Sequence, residues 1–176
     1  MRTSLLFAPA LCVLAMACSD QKKTVDAEPE AKAEKPATKS FQLGGTDKAD
    51  TLFFSLERTP CFGTCKAYRI NVYRSGYATF DGRSNVEKEG AHDGRVSPEI
   101  MDDLLQEAVR IKFFDLQDKY DGPVTDLPSS IIHVVANGKD KKVIGRVGTP
   151  ENFKSFVTKA EEWLYPLPWK PVAKSE

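Results

Sequence analysis

An alternation of apolar and polar side chains begins at Thr51 and recurs in three segments as far as Phe80, and it restricts the fold more than any other pattern in the chain. A period of two residues is that of a β-strand, in which successive side chains point to opposite faces. Turn residues near positions 75–76 and 81–82 interrupt the alternation, so we expect antiparallel strands joined by hairpins. The side chains predicted to face the core are Leu52, Phe54, Leu56, Tyr68, Ile70, Val72, Ala78 and Phe80.

Two helices and one more strand are predicted further along the chain. Residues 85–92 are predicted to form a fourth strand, whose charges suit an exposed sheet edge because charge discourages pairing with foreign strands. A helix is predicted from Ser97, where a serine N-cap, a proline and an acid follow one another. The same signals recur from Thr149, and a helical apolar stripe then runs from Phe153 to Leu164.

Between the two helices, an Asn-Gly pair predicts a β-hairpin of residues 130–136 and 142–147. The length of the loop has two solutions. A two-residue loop places an apolar side chain opposite Asp140, whereas a four-residue loop pairs Val134 with Val143. We favour the four-residue loop because it places apolar side chains opposite each other.

The predicted order is four strands, a helix, a β-hairpin and a second helix. This order indicates an α+β domain over residues 49–165, with a mostly antiparallel sheet and both helices packed on one face. Prolines at positions 166, 168 and 171 end the second helix. Residues 166–176 are therefore expected to form a proline-rich C-terminal tail.

Residues 1–17 have the composition of a secretory leader, with Arg2, a short apolar run and small residues before Cys18. Ordinary cleavage would release a soluble periplasmic protein. The same residues also resemble the lipobox of bacterial lipoproteins, in which the cysteine is acylated, and we favour this interpretation because a tether-like segment follows. By analogy with known lipoproteins, Ser19 favours the outer membrane, with the domain facing the periplasm.

Residues 18–48 contain Lys, Glu, Asp, Ala and Pro with almost no large apolar side chain before Phe41. Such a segment cannot bury enough apolar surface to offset its ordering entropy, so we expect a disordered tether that spans about 30 Å.

The formal net charge of the chain is zero, and we therefore expect no nucleic-acid partner. The expected partners are the membrane, through the lipid anchor, and another envelope protein or polymer.

Cys61 and Cys65 are the cysteines that remain once the leader is removed and Cys18 is acylated. In an oxidising compartment an even number of thiols favours a disulfide, and Gly63 gives the backbone the freedom that a small ring needs. Thiol–disulfide exchange is the alternative, although catalytic thiol pairs usually lie at a helix N-terminus and a strand follows here. We expect neither a metal nor a cofactor, because the two histidines are spaced from this pair in no standard zinc pattern.

An eight-residue segment around these cysteines, followed by Tyr68, resembles the opening motif of the bacterial family called domain of unknown function 6438. The segment is Arg58-Thr59-Pro60-Cys61-Phe62-Gly63-Thr64-Cys65. One departure is Lys66, where the family often has proline. The resemblance covers most of the globular part and implies an exported or lipid-anchored protein, but no activity. Further matches are Gly76, Asp81, Gly82, Asn85, Val86, Gly90, Phe113, Phe114, Asp115, Leu116, Tyr120, Thr125, Asp126, Leu127 and Pro128.

Residues 117–129 are predicted to form an ordered loop, because they contain a glycine and two prolines. Tyr120, Asp121, Thr125 and Asp126 make it a candidate binding loop and the nearest approach to an acid–base cluster. Glycosidase chemistry needs two carboxylates held across a cleft, whereas an aspartate in such a loop more often caps a turn. No catalytic residue is assigned.

Two histidines and two tryptophans complete the candidates. His133 is expected to pack on a half-buried strand face, and His92 to be solvated on the charged edge strand. We expect Trp163 to pack in the core and Trp169 to be exposed. Neither histidine has an identifiable catalytic partner in the sequence.

The leading hypothesis is a non-enzymatic lipoprotein of the cell envelope, with a binding domain displayed on a flexible tether. The alternative is an extracytoplasmic enzyme or a thiol–disulfide redox factor. It would use either Cys61 and Cys65 or the loop from Tyr120 to Asp126.

Overall fold

A computed structural model of the chain describes residues 50–124 and 126–173. The predicted leader, Cys18, the tether and Thr125 lie outside the described residues. The part described contains eight strands, two α-helices and one 3-10 turn at Phe113–Asp115. The strands are β1 (Leu52–Arg58), β2 (Ala67–Tyr73), β3 (Tyr77–Ser84), β4 (Gly90–Arg95), β5 (Lys119–Tyr120), β6 (Ser130–Ala136), β7 (Lys139–Gly145) and β8 (Lys170–Pro171), and the helices are α1 (Pro98–Arg110) and α2 (Glu151–Leu164).

All eight strands belong to one sheet, in the order β5-β7-β6-β1-β2-β3-β4-β8. Every neighbouring pair is antiparallel except β5 and β7, which are parallel. The α+β class and the mostly antiparallel sheet are confirmed. The predicted strand count is too low, because the two-residue strands β5 and β8 are too short to show a period of two.

A β-bulge changes which side chains of β1 enter the core. The register of the β1–β2 pair shifts between Leu52 and Phe54, so Phe53 has no partner of its own. Phe53 and Phe54 are both buried, whereas Leu52 is only half-buried. An extra residue in one strand lets two consecutive side chains approach the same face. The strict alternation predicted Leu52 in the core, and the structure puts Phe53 there.

The fourth strand begins later than predicted. β4 spans Gly90–Arg95, and the charged residues 87–89 lie in the connection from β3. Asn85 and Gly90 have positive φ values of 56° and 82°, which end β3 and redirect the chain. The connection passes so close to β3 that a Cβ built on Gly82 would lie 1.9 Å from the carbonyl oxygen of Lys88.

The β6–β7 hairpin has a two-residue turn. Asn137 and Gly138 both have positive φ, at 53° and 73°, which is the backbone that a type I′ turn requires. Val134 therefore pairs with Lys141 and Val135 with Asp140. The favoured four-residue loop is wrong, because a type I′ turn matches the strand twist and strand pairing continues to the turn.

The two helices differ in how they begin. The Ser97 hydroxyl caps α1 by accepting a hydrogen bond from the Ile100 amide at 3.4 Å, which confirms the predicted start. In α2 the N-cap is Pro150 without a side-chain cap, so the predicted cap at Thr149 is wrong. The Thr149 side chain instead packs beside Gly145, whose Cβ would lie 2.8 Å from Thr149 Cγ2.

One buried cluster joins both helices to the sheet. It contains side chains of α1, of α2 and of the central strands β1, β2, β3 and β6. On the solvent side of the same sheet, the Glu57 carboxylate binds Arg69 and Arg83 at 2.6 Å each. Neither α1 nor α2, nor any other helix within the described ranges, is long and apolar enough to span a membrane.

The chain after α2 folds back onto the sheet. Trp169 is only 6% exposed, its ring lies 5.5 Å from that of Phe80, and its indole N–H donates to the Leu164 carbonyl. The expected exposure of Trp169 is wrong, since a turn after α2 returns the chain to β4, where β8 pairs with His92 and Asp93. Trp163 is partly buried against the core.

Candidate functional site

Two long loops meet at the end of the sheet where β1 ends and β6 begins. The Thr59 amide donates to the Ser129 carbonyl at 3.0 Å, and the Ser129 amide donates to the Thr59 hydroxyl at 2.7 Å. We name this region, residues 59–66 together with 121–124 and 126–129, the loop end. Both loops contain residues that carry the family resemblance. They come together at this end of the sheet, although about 60 residues separate them along the chain.

A disulfide between Cys61 and Cys65 closes the first of these loops into a small ring. The Gly63 amide lies 3.3 Å from the Cys61 sulfur. On the other side, the Asn85 side chain donates to the Cys65 carbonyl at 3.1 Å, which ties the ring to the β3–β4 connection. The ring is thus held by a covalent bond and by contacts with neighbouring segments.

Phe62 projects from this ring into solvent and is 95% exposed. Val124 and Leu127, on the second loop, are also exposed. Sequence reasoning did not single out Phe62 as a candidate. Its position inside a five-residue disulfide ring could have identified it, because so small a ring cannot enclose a phenylalanine side chain.

Beneath the ring, Arg58, Tyr68 and Glu161 form a polar cluster. The Tyr68 hydroxyl donates to Glu161 Oε1 at 2.5 Å, and Arg58 Nε lies 3.4 Å from the same oxygen. Arg58 Nη1 also donates to the Ser130 hydroxyl. Burial and the hydrogen bond to Glu161 raise the pKa of Tyr68 far above its usual value, so this hydroxyl stays protonated at neutral pH.

Two depressions flank Glu161 at this end of the molecule. A cleft of about 390 Å³ lies on the disulfide side, where the Lys66 ammonium sits 4.9 Å from the centre of the Tyr165 ring. A pocket of about 270 Å³ lies on the other side, between α2 and the ends of β6 and β7. The cleft is lined by Lys66, Tyr68, Glu161, Glu162, Tyr165 and Pro166.

The candidate binding loop is anchored by Asp121. The Asp121 carboxylate lies 2.7 Å from Lys119 Nζ and 2.5 Å from Arg146 Nη2, and it accepts a hydrogen bond from the Gly122 amide at 2.9 Å. Hydrogen bonds from Lys119 and then from Arg146 hold the pKa of Asp121 well below its usual range. Asp121 therefore ties this loop to Lys119 in β5 and to Arg146, the residue after the end of β7.

Tyr120 and Asp126 are the other described candidates of that loop. The Tyr120 hydroxyl accepts a hydrogen bond from the Gln117 amide at 3.1 Å, and Asp126 is exposed. The carboxylate of Asp121 binds Lys119, Arg146 and the Gly122 amide of its own turn. This arrangement fits the turn-capping role better than an acid–base pair held across a cleft.

The two histidines lie elsewhere in the sheet. His133 is half-buried, as expected, and its Nε2 lies 2.6 Å from Asp140 Oδ1 on the neighbouring strand. His92 is buried against Phe80, so its expected solvation is wrong, because the chain after α2 pairs with β4 at this residue. Within residues 50–124 and 126–173, no three potential metal ligands of the His, Cys, Asp or Glu type cluster together.

One family model matches most of the chain that the structure describes. The family model for the Domain of unknown function (DUF6438) matches residues 52–164. The chain belongs to the DUF6438 family. The match includes β1, the disulfide ring, both helices and the second loop, but not the segment with Trp169. No curated protein matches the chain.

Proposed function

We propose that this DUF6438 protein is a lipoprotein of the bacterial cell envelope, anchored through an acylated Cys18 after removal of residues 1–17. In this proposal, residues 18–48 form the tether and the domain faces the periplasm from the outer membrane. The composition of the first 48 residues supports the anchor and the tether. The domain itself binds another envelope protein or polymer and is not an enzyme.

The single observation that carries the binding role is the exposure of Phe62. Burial of a phenylalanine side chain is worth about 1.5–3 kcal/mol, and the fold gains almost none of this from Phe62. Large aromatic side chains are typical anchors of protein interfaces. Phe62 is therefore the centre of the proposed docking surface, and Val124 and Leu127 extend it.

The ring around Phe62 is pre-organised for docking. The disulfide, the contact from Asn85 and the paired hydrogen bonds between Thr59 and Ser129 all limit the motion of the loop. A partner that binds an already ordered loop loses less conformational entropy on association.

The docking surface lies away from the point where the described chain begins. Asp50 accepts a hydrogen bond from the Ser75 amide in the β2–β3 turn, at the end of the sheet where β1 starts. The seven residues of β1 separate this point from the loop end by about 20 Å. The first described residues and the loop end therefore lie at opposite ends of β1.

Two experiments test the proposal separately. Acylation of Cys18 predicts that the native protein is found in the membrane fraction and that Cys18→Ser moves it to the soluble fraction.

Docking through Phe62 predicts that the immobilised mature chain retains an envelope component, and that Phe62→Ala reduces retention about tenfold or more. Val109→Ala, at an exposed valine on α1, is the matched control and leaves retention unchanged. Equal retention by both variants would remove the docking surface from the proposal.

Thiol–disulfide exchange is the second candidate, because the disulfide lies on an exposed loop where another protein can reach it. The reduction potential of the Cys61–Cys65 pair distinguishes the two functions. A structural bond has a potential below about −300 mV, whereas a catalytic pair has a higher one. We expect the structural value.

A further inference from the structure

The pocket beside Glu161 has an unusual lining. Three cationic side chains and three hydroxyl groups surround it, with one carboxylate. Its volume of about 270 Å³ suits a small polar group rather than a large ligand. The charged and hydroxyl side chains of the lining are Arg58, Arg146, Lys154, Ser130, Thr149, Thr158 and Glu161.

The base of the pocket is closed by tight packing around Gly145. A Cβ built on this glycine would lie 2.8 Å from Phe153 Cε1 and 2.8 Å from Thr149 Cγ2. Since there is no room for a side chain at this position, the backbone of β7 comes close to α2. The polar side chains of the lining stand around this packed base.

Arg58 is held in place with donors to spare. Its Nη1 donates to the Ser130 hydroxyl, and its Nε lies 3.4 Å from Glu161 Oε1. A guanidinium carries five N–H donors, so these two contacts leave several for a ligand. Because the Ser130 oxygen accepts from Arg58, its own O–H proton is directed away from the guanidinium.

The other two cations have acidic neighbours that do not cancel their charge. Arg146 binds Asp121 through Nε and Nη2, but Asp121 also binds Lys119, so one carboxylate serves two cations. Lys154 lies 3.3 Å from Glu151 on the exposed surface of α2, and such surface pairs are weak. Lys154 can therefore leave Glu151 for an anion in the pocket.

We propose that this pocket binds a small oxyanion, either a carboxylate or a phosphate group, through Arg58, Arg146 and Lys154. Planar guanidinium groups match the geometry of both oxyanions and bind them through paired hydrogen bonds. The inference goes beyond the docking surface proposed above and depends on different residues. It adds a ligand site at the end of the molecule where a partner would dock.

Titration of the mature chain with inorganic phosphate and, separately, with succinate tests the site, with the arginine side-chain N–H resonances as the readout. We expect saturable shifts of Arg58 and Arg146, and the anion that binds more tightly identifies the ligand class. Lys154→Gln should weaken binding about tenfold, because one charge-assisted hydrogen bond is lost. Lys142→Gln, at an exposed lysine of β7 outside the pocket, is the matched control and should change nothing.

Arg146→Gln should weaken binding further, and Arg146→Lys should restore part of it if charge rather than the tie to Asp121 is what matters. A melting curve of each variant identifies any loss of fold, and Lys154→Gln is safe in this respect because its residue is exposed. Absence of saturation with both anions overturns the proposal, and so does equal weakening by Lys142→Gln. Phe62→Ala should leave anion binding unchanged, so failure of the docking surface and failure of this site can be distinguished.

Discussion

Phe156 and Phe62 are the same residue type in opposite surroundings. Phe156, on α2, is fully buried and meets the rings of Phe54 and Phe113 at 5.9 and 5.8 Å. Phe62 is almost fully exposed on a ring closed by a disulfide. The interior region therefore contains aromatic groups that hold the helices against the sheet, and the loop end contains one that the fold holds in place without burying.

The difference separates two reasons for an apolar residue to be where it is. Burial explains Phe156 completely, because the hydrophobic effect and packing favour its position. Folding does not explain the position of Phe62, and in the function proposed above its ring is buried by a partner. Four measurements test this contrast.

Phe156→Ala should lower the free energy of unfolding by about 3–5 kcal/mol, because it removes a buried ring and leaves a cavity between α2 and β1. Urea unfolding followed by circular dichroism measures the change. Phe156→Leu is the control and should lose less, since it fills most of the volume. A loss below about 1 kcal/mol in Phe156→Ala would show that the interior is not packed as described.

Replacement of both cysteines, with Cys61→Ser and Cys65→Ser in one chain, should lower the free energy of unfolding by about 2 kcal/mol. The closed loop is short, so its loss returns only a small loop-closure entropy to the unfolded state. The same change should also weaken retention of the envelope component, because Phe62 is no longer held. Unchanged stability together with unchanged retention would show that the ring is not what positions Phe62.

Glu107 should make the packing of α1 against α2 sensitive to acid. This carboxylate is 5% exposed on α1 and binds Arg110 and, across the helix interface, Lys159 of α2. The hydrogen bond from Arg110, with help from Lys159, lowers the pKa of Glu107 from 4.5 to about 2. A lowered pKa in the folded state means that the stabilisation is fully present above pH 4.5 and is lost as the pH falls toward 2.

The expected size of this loss is about 1–2 kcal/mol, discounted because water screens the Arg110 and Lys159 side chains, which are 59% and 42% exposed. Unfolding free energies at pH 7 and at about pH 3 measure it. In Glu107→Gln the part of the slope that belongs to this group should disappear. If the variant keeps the same slope as the wild type, other carboxylates are responsible for the acid sensitivity.

Phe62→Ala should change the free energy of unfolding by less than about 0.5 kcal/mol, because the side chain contacts almost nothing in the fold. The same urea experiment measures this, with Phe156→Ala as the reference for a large effect. A loss of 2 kcal/mol or more would mean that Phe62 is packed in solution, and that the contrast between the two regions is false.

Local signals in the sequence predicted the elements well. The alternation around Tyr68 and Ile70 predicted β2, and the Ser97 cap predicted the start of α1, because neighbouring residues determine both features. The hairpin was predicted, but with a four-residue loop in place of the observed two-residue turn, so its register was wrong. Apolar pairing favoured the longer loop, and turn geometry favours the shorter one. The bulge at Phe53 also requires knowledge of the partner strand.

The candidate site was predicted only in part. Cys61 and Cys65 were identified because they are close in the sequence, whereas Glu161 lies 93 residues beyond its partner Tyr68 and carries no local sign of the contact. The pocket has the same origin, because its three cations come from β1, from the residue after the end of β7 and from α2. Contacts between distant segments depend on the topology of the sheet, which the order of elements does not determine.

Photo-crosslinking in the native envelope tests whether Phe62 contacts a partner. A photoreactive phenylalanine analogue is placed at Phe62 of the full-length chain and, as the control, at Val109, which is 58% exposed on α1. If Phe62 docks into a partner, position 62 gives one discrete adduct and position 109 gives none of the same mass. Added wild-type domain then competes for the adduct, whereas its Phe62→Ala variant does not. The same adducts from both positions, or none from position 62, would contradict docking through Phe62.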